Sequence, residues 1–509
     1  MSLAEVDQSQ CPPTHFIVAC PCSGSTLLER IFTKSPACVV TSDLTSAELQ
    51  TAAQITGSES SPTRDVSRDN NTSPVSNKKH LVFIPRLQNS TDRRQTWDLL
   101  ARPSVHRSRP VYLIRDPVRV FDSWKDASWT DINAFIDCYA DIIQQLNRTD
   151  GRDESCLYER LIVQPDVEVQ RICDLWGVPF VKGMLDSKQP LDIITSSNEK
   201  QGRSGEETKV SATIPDFQTS VISSNPWHGQ LSPSEIDAIE NELGPSYLRC
   251  WEWKATELRA TLAKKTWIWF DLDDTLHEFR KASSAATEAA MRALGRASGG
   301  IPVADLKAKY AEVLAQKTSG AFVEGKTSHQ YRRERFSAVM AHFSLPAAGA
   351  GADRDRDRIL GELLDTYESA LTGALELKRG AGELLAQVRA QGKKVAVVTE
   401  GPQDAQERAL ARLGIADRVD FLATTGRFRV AKTDGLFGRV LRHLGVDAAD
   451  VACVGDSAPR DMLPAAAAGI FAVHLDERAD VDLGAHPPRI NTLHKLRFIM
   501  SDASIARVD

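Results

Sequence analysis

The 509-residue sequence has no apolar run of about 18 residues, the length that a membrane-spanning helix requires. It also lacks an excess of basic residues, because 62 Lys and Arg stand against 68 Asp and Glu, for a formal charge of -6. This balance argues against a broad binding surface for nucleic acid or anionic lipid. We therefore expect small-molecule ligands and neither a nucleic-acid nor a membrane partner, while the oligomeric state stays open.

The amino terminus lacks the basic and apolar segments of a secretory signal. Nine cysteines, an odd number in a chain of this length, do not suggest a disulfide framework. Both features predict a cytoplasmic protein with reduced thiols.

Tryptophan and cysteine become scarce in the second half of the chain. Every tryptophan lies at or before Trp269, and eight of the nine cysteines lie at or before Cys250. This shift in composition predicts two domains, residues 1–258 and 259–509, that fold separately.

Short apolar runs suited to buried parallel strands alternate with segments of helical spacing in both halves, which predicts two α/β domains. Residues 46–79 are rich in Ser, Thr, Asn and Asp and are interpreted as a flexible insertion in the first domain. Residues 279–376 show only helical patterns and predict a helical cap in the second domain.

Polar side chains follow several strand-like runs of the second domain. Asp271 and Asp273 come directly after "WIWF", and side chains two apart in an extended chain point the same way. Ligands of open α/β sheets bind at the carboxyl ends of strands, where paired carboxylates would repel unless an oxygen-seeking Mg²⁺ ion joined them. Three further runs lead to four more candidates, namely Thr399, Lys432, Asp456 and Asp461.

In order and spacing, these residues resemble the four motifs of the haloacid dehalogenase superfamily over about residues 265–480. The resemblance implies a Rossmann-like sheet in which Asp271 attacks phosphorus to form an aspartyl-phosphate. Asp273 would protonate the leaving group and then activate water, and its presence favours a phosphatase over a dehalogenase. The Mg²⁺ site implied by the resemblance comprises Asp271, Asp273 through its backbone carbonyl, and Asp456, with Asp461 as a further metal candidate. Thr399 and Lys432 would bind the phosphoryl oxygens.

A second possible anion site opens the first domain, where the loop "CPCSGSTLL" follows the run "THFIVA". The loop lacks the lysine and the first glycine of a Walker A motif, which disfavours ATP hydrolysis. The backbone amides of a helix N-terminus nevertheless attract anions, although an ordinary N-cap is the alternative interpretation. The candidates of this loop are Ser23, Gly24, Ser25 and Thr26.

Arg115 follows the run "PVYLI", and Ser123 comes eight residues later, an arrangement suited to a phosphate. Together with the loop, this segment resembles sulfotransferases that use 3′-phosphoadenylyl sulfate, whose sheet is of the P-loop type. The resemblance implies that residues 21–26 hold the 5′-phosphosulfate. Arg115 and Ser123 would then grip the 3′-phosphate.

Cys22 departs from this pattern, because sulfotransferases usually carry Arg or Lys at its position. Loss of a cation that neutralises a leaving group can cost on the order of 2 to 4 kcal/mol of transition-state stabilisation. Arg86 and Lys79 are possible substitutes for this charge. The general base is open among His80, His106 and Glu159, and Cys22 itself is a weaker candidate, as a nucleophile at a helix N-terminus.

The leading hypothesis is a bifunctional enzyme that transfers a sulfuryl group to a small acceptor and hydrolyses a small phosphate ester with Mg²⁺. A variant of it, in which the phosphatase acts on adenosine 3′,5′-bisphosphate, is weaker. The main alternative is a phosphatase alone, with the first domain a non-catalytic module that binds a nucleotide or substrate. An NTPase that acts on nucleic acid is disfavoured by the acidic balance and the missing Walker lysine.

Overall fold

The computed structural model describes residues 13–41, 80–85, 87, 89–101, 109–148, 154–186, 229–251, 253–318, 322–346 and 352–501. The predicted insertion at 46–79 and the candidates Lys79, Arg86 and His106 lie outside these ranges. The chain divides into two compact units, Met1–Glu252 and Trp253–Asp509.

The N-terminal unit contains a parallel sheet of five strands, and its strand order is β2-β3-β1-β4-β5. The strands are β1 (Thr14–Ala19), β2 (Cys38–Thr41), β3 (His80–Phe83), β4 (Val111–Ile114) and β5 (Ser155–Leu157). The helices are α1 (Ser25–Thr33), α2 (Ser90–Leu100), α3 (Pro117–Asp126), α4 (Ile132–Arg148), α5 (Tyr158–Val163), α6 (Pro165–Trp176) and α7 (Pro233–Arg249).

The strand order of this sheet reverses at β1. The chain leaves β1 towards β2 and β3 on one side, and it later returns to place β4 on the other side. Such a switch point opens a crevice between the loops at the carboxyl ends of the two strands, where α/β sheets commonly bind ligands. The predicted loop after β1 and Arg115 after β4 both lie at this position.

The C-terminal unit contains a second parallel sheet, of six strands, in the order β11-β10-β9-β6-β7-β8. The strands are β6 (Trp267–Phe270), β7 (Lys394–Thr399), β8 (Phe421–Thr424), β9 (Val451–Gly455), β10 (Phe471–Leu475) and β11 (Arg489–Ile490). The helices are α8 (Trp253–Ala263), α9 (Phe279–Ala297), α10 (Val303–Thr318), α11 (Ser328–His342), α12 (Ala352–Gly373), α13 (Ala381–Ala390), α14 (Gln403–Arg412), α15 (Thr425–Phe428), α16 (Leu436–Leu444), α17 (Leu463–Ala467) and α18 (Leu493–Met500).

The four helices α9 to α12 lie between β6 and β7 and share a hydrophobic core of their own. Ala282, Ala286 and Ala290 recur every four residues on α9 and are fully buried, which allows close packing of the neighbouring helices. Phe336 and Tyr367 fill the centre of this core from α11 and α12. The prediction of an α/β fold with parallel sheets is confirmed. Within the described residues, no helix has the length and apolar character needed to cross a bilayer.

Candidate active site

The central strand β6 ends directly at Asp271. Phe270, the last residue of β6, pairs with Val397 of β7 and with Val454 of β9, so the ends of these three strands are level. The amide of Asp271 continues the ladder and donates to the Val454 carbonyl at 2.9 Å. The side chains that follow β6, β7 and β9 therefore meet at one edge of the sheet.

Three carboxylates gather at this edge. One oxygen each of Asp271, Asp456 and Asp461 lies within 4.8 Å of the others. Asp461 reaches the group from a π-turn over Ala458–Met462, and π-turns frequently mark functional sites. Its carboxylate lies so close to Gly455 that a Cβ there would come within 2.5 Å of it.

Lys432 contacts two members of this group. Its Nζ donates to Asp271 Oδ1 at 2.6 Å and to Asp461 Oδ1 at 2.5 Å, and the side chain is buried. Burial lowers the pKa of Lys432, but the two carboxylates raise it well above its ordinary value. The ammonium group is thus charged at neutral pH and presents a fixed positive charge to an incoming anion.

The acidic group has a composition that fits a divalent cation. Burial raises the pKa of Asp271. The Lys432 ammonium opposes this rise, whereas the neighbouring carboxylates of Asp461 and Asp273 add to it. Burial likewise raises the pKa of Asp456. The three carboxylates face the Lys432 ammonium and Arg280, which pairs with Asp456 at 3.2 Å. A Mg²⁺ ion bound by carboxylate oxygens would supply the missing positive charge.

Asp273 has different surroundings, because its carboxylate is not part of the acidic group. Its Oδ1 lies 2.9 Å from Nε2 of the buried His277, and its Oδ2 accepts a hydrogen bond from Gln406 at 3.3 Å. A tight turn with Asp274 in a left-handed conformation brings His277 back beside Asp273. Thr399, at the end of β7, is fully buried, and its hydroxyl lies 3.5 Å from the Glu400 carbonyl.

Neither His277 nor Gln406 was a candidate from the sequence. The motif spacing carries no sign of His277, since its contact depends on the path of the turn. Gln406 belongs to α14, more than 130 residues from Asp273, and only the tertiary fold brings the two together.

The N-terminal loop forms a compact turn in front of α1. The Ser23 amide donates to the Cys20 carbonyl at 3.1 Å, while Gly24 has a φ of 96°. A Cβ at Gly24 would lie 2.4 Å from the ring of Tyr158, so glycine is required there. The guanidinium of Arg115 lies over the same ring, 4.5 Å from its centroid.

Two donors at the switch point, one from this loop and one from the end of β4, point to an anion. The fully buried Ser23 hydroxyl and the Arg115 Nε have no hydrogen-bond partner in the described part of the chain. Arg115 Nη1 donates to the Cys22 carbonyl at 3.3 Å. No side chain caps α1 at Gly24, so the alternative of a Ser or Thr N-cap at this position is wrong.

The remaining N-terminal candidates lie at positions that are less suited to binding an anion or to acting as a base. Ser25 and Thr26 begin α1, and the Ser123 hydroxyl donates to the Arg119 carbonyl at 3.1 Å. His80 is the first residue of β3 and hydrogen-bonds to His15, so it lies at the opposite edge of the sheet from the loop. This placement argues against His80 as a general base.

The surroundings of Glu159 and Cys22 argue against the first as a general base and the second as a nucleophile. Glu159 is buried and accepts a hydrogen bond from the Asp116 amide at 2.8 Å. A helix N-terminus is expected to lower the pKa of Cys22 and so make it a nucleophile, but this expectation is wrong, because burial raises that pKa, although Arg115 opposes the shift. A thiol with a raised pKa is a poor nucleophile at neutral pH.

Residues 266–469 match the family model for haloacid dehalogenase-like hydrolases. This part of the chain is a haloacid dehalogenase-like domain. No family model matches the N-terminal unit.

The haloacid dehalogenase-like domain is similar to curated phosphatases. It is 29% identical over 226 residues to a phosphoserine phosphatase of Thermus thermophilus, covering 40% of this chain and 86% of the relative. A ribulose-1,5-bisphosphate 5-phosphatase of Halopiger xanaduensis is 27% identical over 223 residues, with coverages of 43% and 87%. Among solved structures, a 2-haloacid dehalogenase of Pseudomonas syringae has a TM-score of 0.37 and 23% identity, with 46% of this chain and 98% of that chain covered.

A cavity of about 1160 Å³ adjoins the acidic group of the haloacid dehalogenase-like domain. The catalytic candidates on its wall are Asp271, Asp273, Thr399, Lys432 and Asp461. The rest of the wall comes largely from α9 to α12, so these helices shape the space that a substrate would occupy.

Proposed function

We propose that the haloacid dehalogenase-like domain hydrolyses small phosphate monoesters with Mg²⁺. The observation that carries this proposal is the convergence of Asp271, Asp456 and Asp461 beside a cavity that also contains Asp273, with the buried Lys432 in contact with two of the three. Carboxylates, a fixed cation and a hydroxyl are the groups that phosphoryl transfer requires.

The chemistry divides into two steps. In the first step, a carboxylate oxygen of Asp271 attacks phosphorus, the P–O bond to the leaving group breaks, and Asp273 donates a proton to the departing oxygen. In the second step, Asp273 takes a proton from water, the water oxygen attacks phosphorus, and the bond to Asp271 breaks to release phosphate. Lys432 and Thr399 bind phosphoryl oxygens throughout.

The contacts of Asp273 support its separate role. Its two oxygens face His277 and Gln406 rather than the acidic group, so the carboxyl can exchange a proton away from the charged cluster. A bound Mg²⁺ ion would be held by Asp271, the Asp273 carbonyl, and Asp456, with Asp461 as a further candidate, and it would neutralise charge on the phosphoryl oxygens.

The names of the relatives support a phosphatase but not one substrate. They are called phosphatases of phosphoserine, ribulose-1,5-bisphosphate and glyceraldehyde 3-phosphate, which share only the phosphate ester. We therefore propose the reaction class, and the shape of the cavity determines which ester is bound.

Hydrolysis of 4-nitrophenyl phosphate with Mg²⁺ tests this proposal. Asp271→Asn removes the attacking oxygen, and kcat should fall by on the order of 10⁴-fold or more. The control is Asp365→Asn, on the exposed side of α12, which should keep full activity. Acid quenching should trap a phosphorylated aspartate in the unsubstituted protein only, and an unchanged rate in Asp271→Asn would refute the mechanism.

For the N-terminal unit we propose an anion site that binds 3′-phosphoadenylyl sulfate and transfers its sulfuryl group to a small acceptor. The support for it is a pair of donors at the switch point of the sheet, the Ser23 hydroxyl and the Arg115 Nε, which have no partner among the described residues. Because Cys22 stands where sulfotransferases usually carry a cation, the alternative is a non-catalytic module that binds a nucleotide or substrate.

Calorimetric titration with adenosine 3′,5′-bisphosphate separates these two possibilities when combined with a sulfuryl-transfer assay. The Asp271→Asn chain is used, so that the phosphatase cannot consume the ligand. Binding that Arg115→Gln abolishes, together with turnover on an acceptor panel, supports the transferase. Binding without turnover supports a nucleotide-binding module, and no binding excludes both the transferase and a nucleotide-binding module.

A further inference from the structure

Two buried arginines of α11, Arg332 and Arg335, line the cavity next to the catalytic group. They lie one turn apart, but their charges are balanced differently. Arg332 forms an ion pair with Glu368 and lies over the ring of Tyr367, 4.7 Å from its centroid. Glu368 also accepts a hydrogen bond from Arg408 at 3.0 Å, so this carboxylate is shared by two cations.

Arg335 has no such carboxylate. Its side chain is 8% exposed, and its guanidinium carbon lies 5.5 Å from the centroid of the Phe322 ring. Across the ranges that the structure describes, no residue accepts a hydrogen bond from its Nε or forms an ion pair with it. Its charge nevertheless acts on the cavity wall, because burial raises the pKa of Tyr367 while Arg332 and Arg335 oppose that shift.

A buried guanidinium without a counter-ion is costly, because arginine cannot give up its proton to escape the low-dielectric interior. Buried charges in proteins are normally paired, so a bound ligand is expected to supply the opposite charge here. We infer that Arg335 binds an anionic group of the substrate, separate from the phosphate that is hydrolysed. This inference rests on the proposed function, since the cavity is taken to be the substrate pocket.

The charges around the cavity favour a carboxylate for this group. Lys307 is paired with Glu288 at 2.6 Å, and Arg280 with Asp456 at 3.2 Å. Among the described residues of the cavity wall, Arg335 is thus the buried cation without a carboxylate partner, whereas Arg412 is exposed. A singly charged carboxylate balances Arg335, and a second phosphate would overcompensate it. The planar guanidinium also matches a carboxylate with two parallel hydrogen bonds.

The remaining cavity wall beside these helices is largely apolar. Its hydrophobic and aromatic side chains include Phe279, Leu314, Phe322, Tyr367, Leu371 and Leu375. Apolar walls of this kind bind hydrocarbon or aromatic surface, while few polar groups fix the orientation. The substrate class is therefore a phosphate monoester with an apolar body that carries a carboxylate.

Matched aryl phosphates test this assignment on the full chain with Mg²⁺. The compounds are 4-(carboxymethyl)phenyl phosphate, its neutral amide 4-(carbamoylmethyl)phenyl phosphate, and 4-(phosphonomethyl)phenyl phosphate. The methylene group insulates the phenol, so the leaving groups are nearly equal. We expect kcat/KM to favour the carboxylate over the amide by about ten- to a hundredfold, the usual effect of one charged hydrogen-bonded pair.

Arg335→Gln should remove this preference by raising KM for the carboxylate, with little change in kcat for the amide. Arg335→Lys, which keeps the charge, should restore part of it. Arg354→Gln, an exposed position of α12, is the control for a lost positive charge and should keep the full preference. A preference that survives in Arg335→Gln overturns the inference, and a preference for the phosphonate overturns the choice of carboxylate.

Binding measurements separate this inference from the proposed function. The non-hydrolysable 4-(phosphonomethyl)phenylacetate and its amide are titrated calorimetrically into the unsubstituted protein and Arg335→Gln. If no phosphate is hydrolysed but the carboxylate binds more tightly through Arg335, the phosphatase proposal fails and the anion site stands. If all three esters are hydrolysed equally well, the phosphatase stands and the anion site fails.

Discussion

Asp271 and Asp273 are two residues apart, yet their carboxylates have different neighbours. Asp271 contacts the buried ammonium of Lys432, whereas Asp273 contacts an imidazole and a neutral amide. Two carboxyl groups with such different surroundings can take different roles in one reaction. The contacts suit Asp271 as the anion that attacks and Asp273 as the group that moves a proton.

Asp273→Asn should therefore slow the hydrolysis of an ester to an extent that depends on its leaving group. An alkyl alkoxide leaves slowly without a proton, so kcat on an alkyl phosphate should fall by about 10²- to 10⁴-fold. The fall should be much smaller for 4-nitrophenyl phosphate in the first step, which is measured as the pre-steady-state burst. Equal losses in the burst for both esters would show that Asp273 does not act as the acid.

At the residue scale, the sequence predicted the acids that follow strands, because their positions depend on local spacing. The structure places Asp271, Asp456 and Asp461 together with Lys432, while their catalytic roles stay predictions. His277, Gln406 and Arg335 could not be found in this way. Their significance depends on contacts across a turn, between distant helices, or with a cavity, and no motif encodes these.

At the scale of elements, the π-turn after β9 determines where Asp461 lies in the acidic group. Its wide turn carries Asp461 back to within hydrogen-bond distance of the Ser457 amide, at 3.0 Å. Gly455 leaves the space that this carboxylate occupies. The turn and the glycine together hold the metal candidate beside Lys432.

Gly455→Ala should displace the Asp461 carboxylate and weaken Mg²⁺ binding. The added methyl would lie 2.5 Å from that carboxylate, so Asp461 must move. We expect the Mg²⁺ concentration for half-maximal activity to rise about 10- to 100-fold, as when a residue that orients a metal site is lost. Gly438→Ala in α16, where a Cβ meets nothing closer than 3.7 Å, is the matched control and should leave it unchanged. An unaltered Mg²⁺ requirement in Gly455→Ala would show that Asp461 does not contribute to Mg²⁺ binding.

At the element scale, buried strands were predictable from apolar runs, because a parallel sheet covered on both faces needs continuous hydrophobic segments. The runs "THFIVA" and "KVAVVT" are β1 and β7. The order of strands in each sheet was not predicted, because it depends on long-range pairing. The content of the cavity wall was also beyond prediction, since it depends on how four helices pack.

For the whole molecule, His15 makes the stability of the N-terminal unit depend on pH. Burial and the neighbouring His80 lower its pKa to about 3, and its ring stacks on Trp176. Below about pH 6.5 the unfolded chain takes up a proton that the folded chain refuses, so the free energy of unfolding falls as the pH falls. At pH 5 this costs about 2 kcal/mol.

His15→Phe keeps a stacked ring but cannot be protonated. Between pH 7.5 and pH 5 it should therefore lose about 2 kcal/mol less stability than the unsubstituted chain. Urea unfolding followed by tryptophan fluorescence measures this, because six of the nine tryptophans lie in the N-terminal unit. His329→Phe, at an exposed position, is the control. Parallel pH dependence in His15→Phe and the unsubstituted chain would show that His15 is not the group responsible.

The division into two compact units also predicts that phosphatase activity is separable. Every residue assigned to the phosphatase, and the whole cavity wall, lies between Asp271 and Asp461, inside Trp253–Asp509. This unit has its own sheet and its own core, which is what independent folding requires. Residues 253–509 alone should therefore hydrolyse 4-nitrophenyl phosphate with kcat/KM within about twofold of the full chain. Residues 1–252 should show no such activity. A folded second unit, verified by circular dichroism, that hydrolyses the ester far more slowly would mean that the N-terminal unit contributes to the phosphatase site.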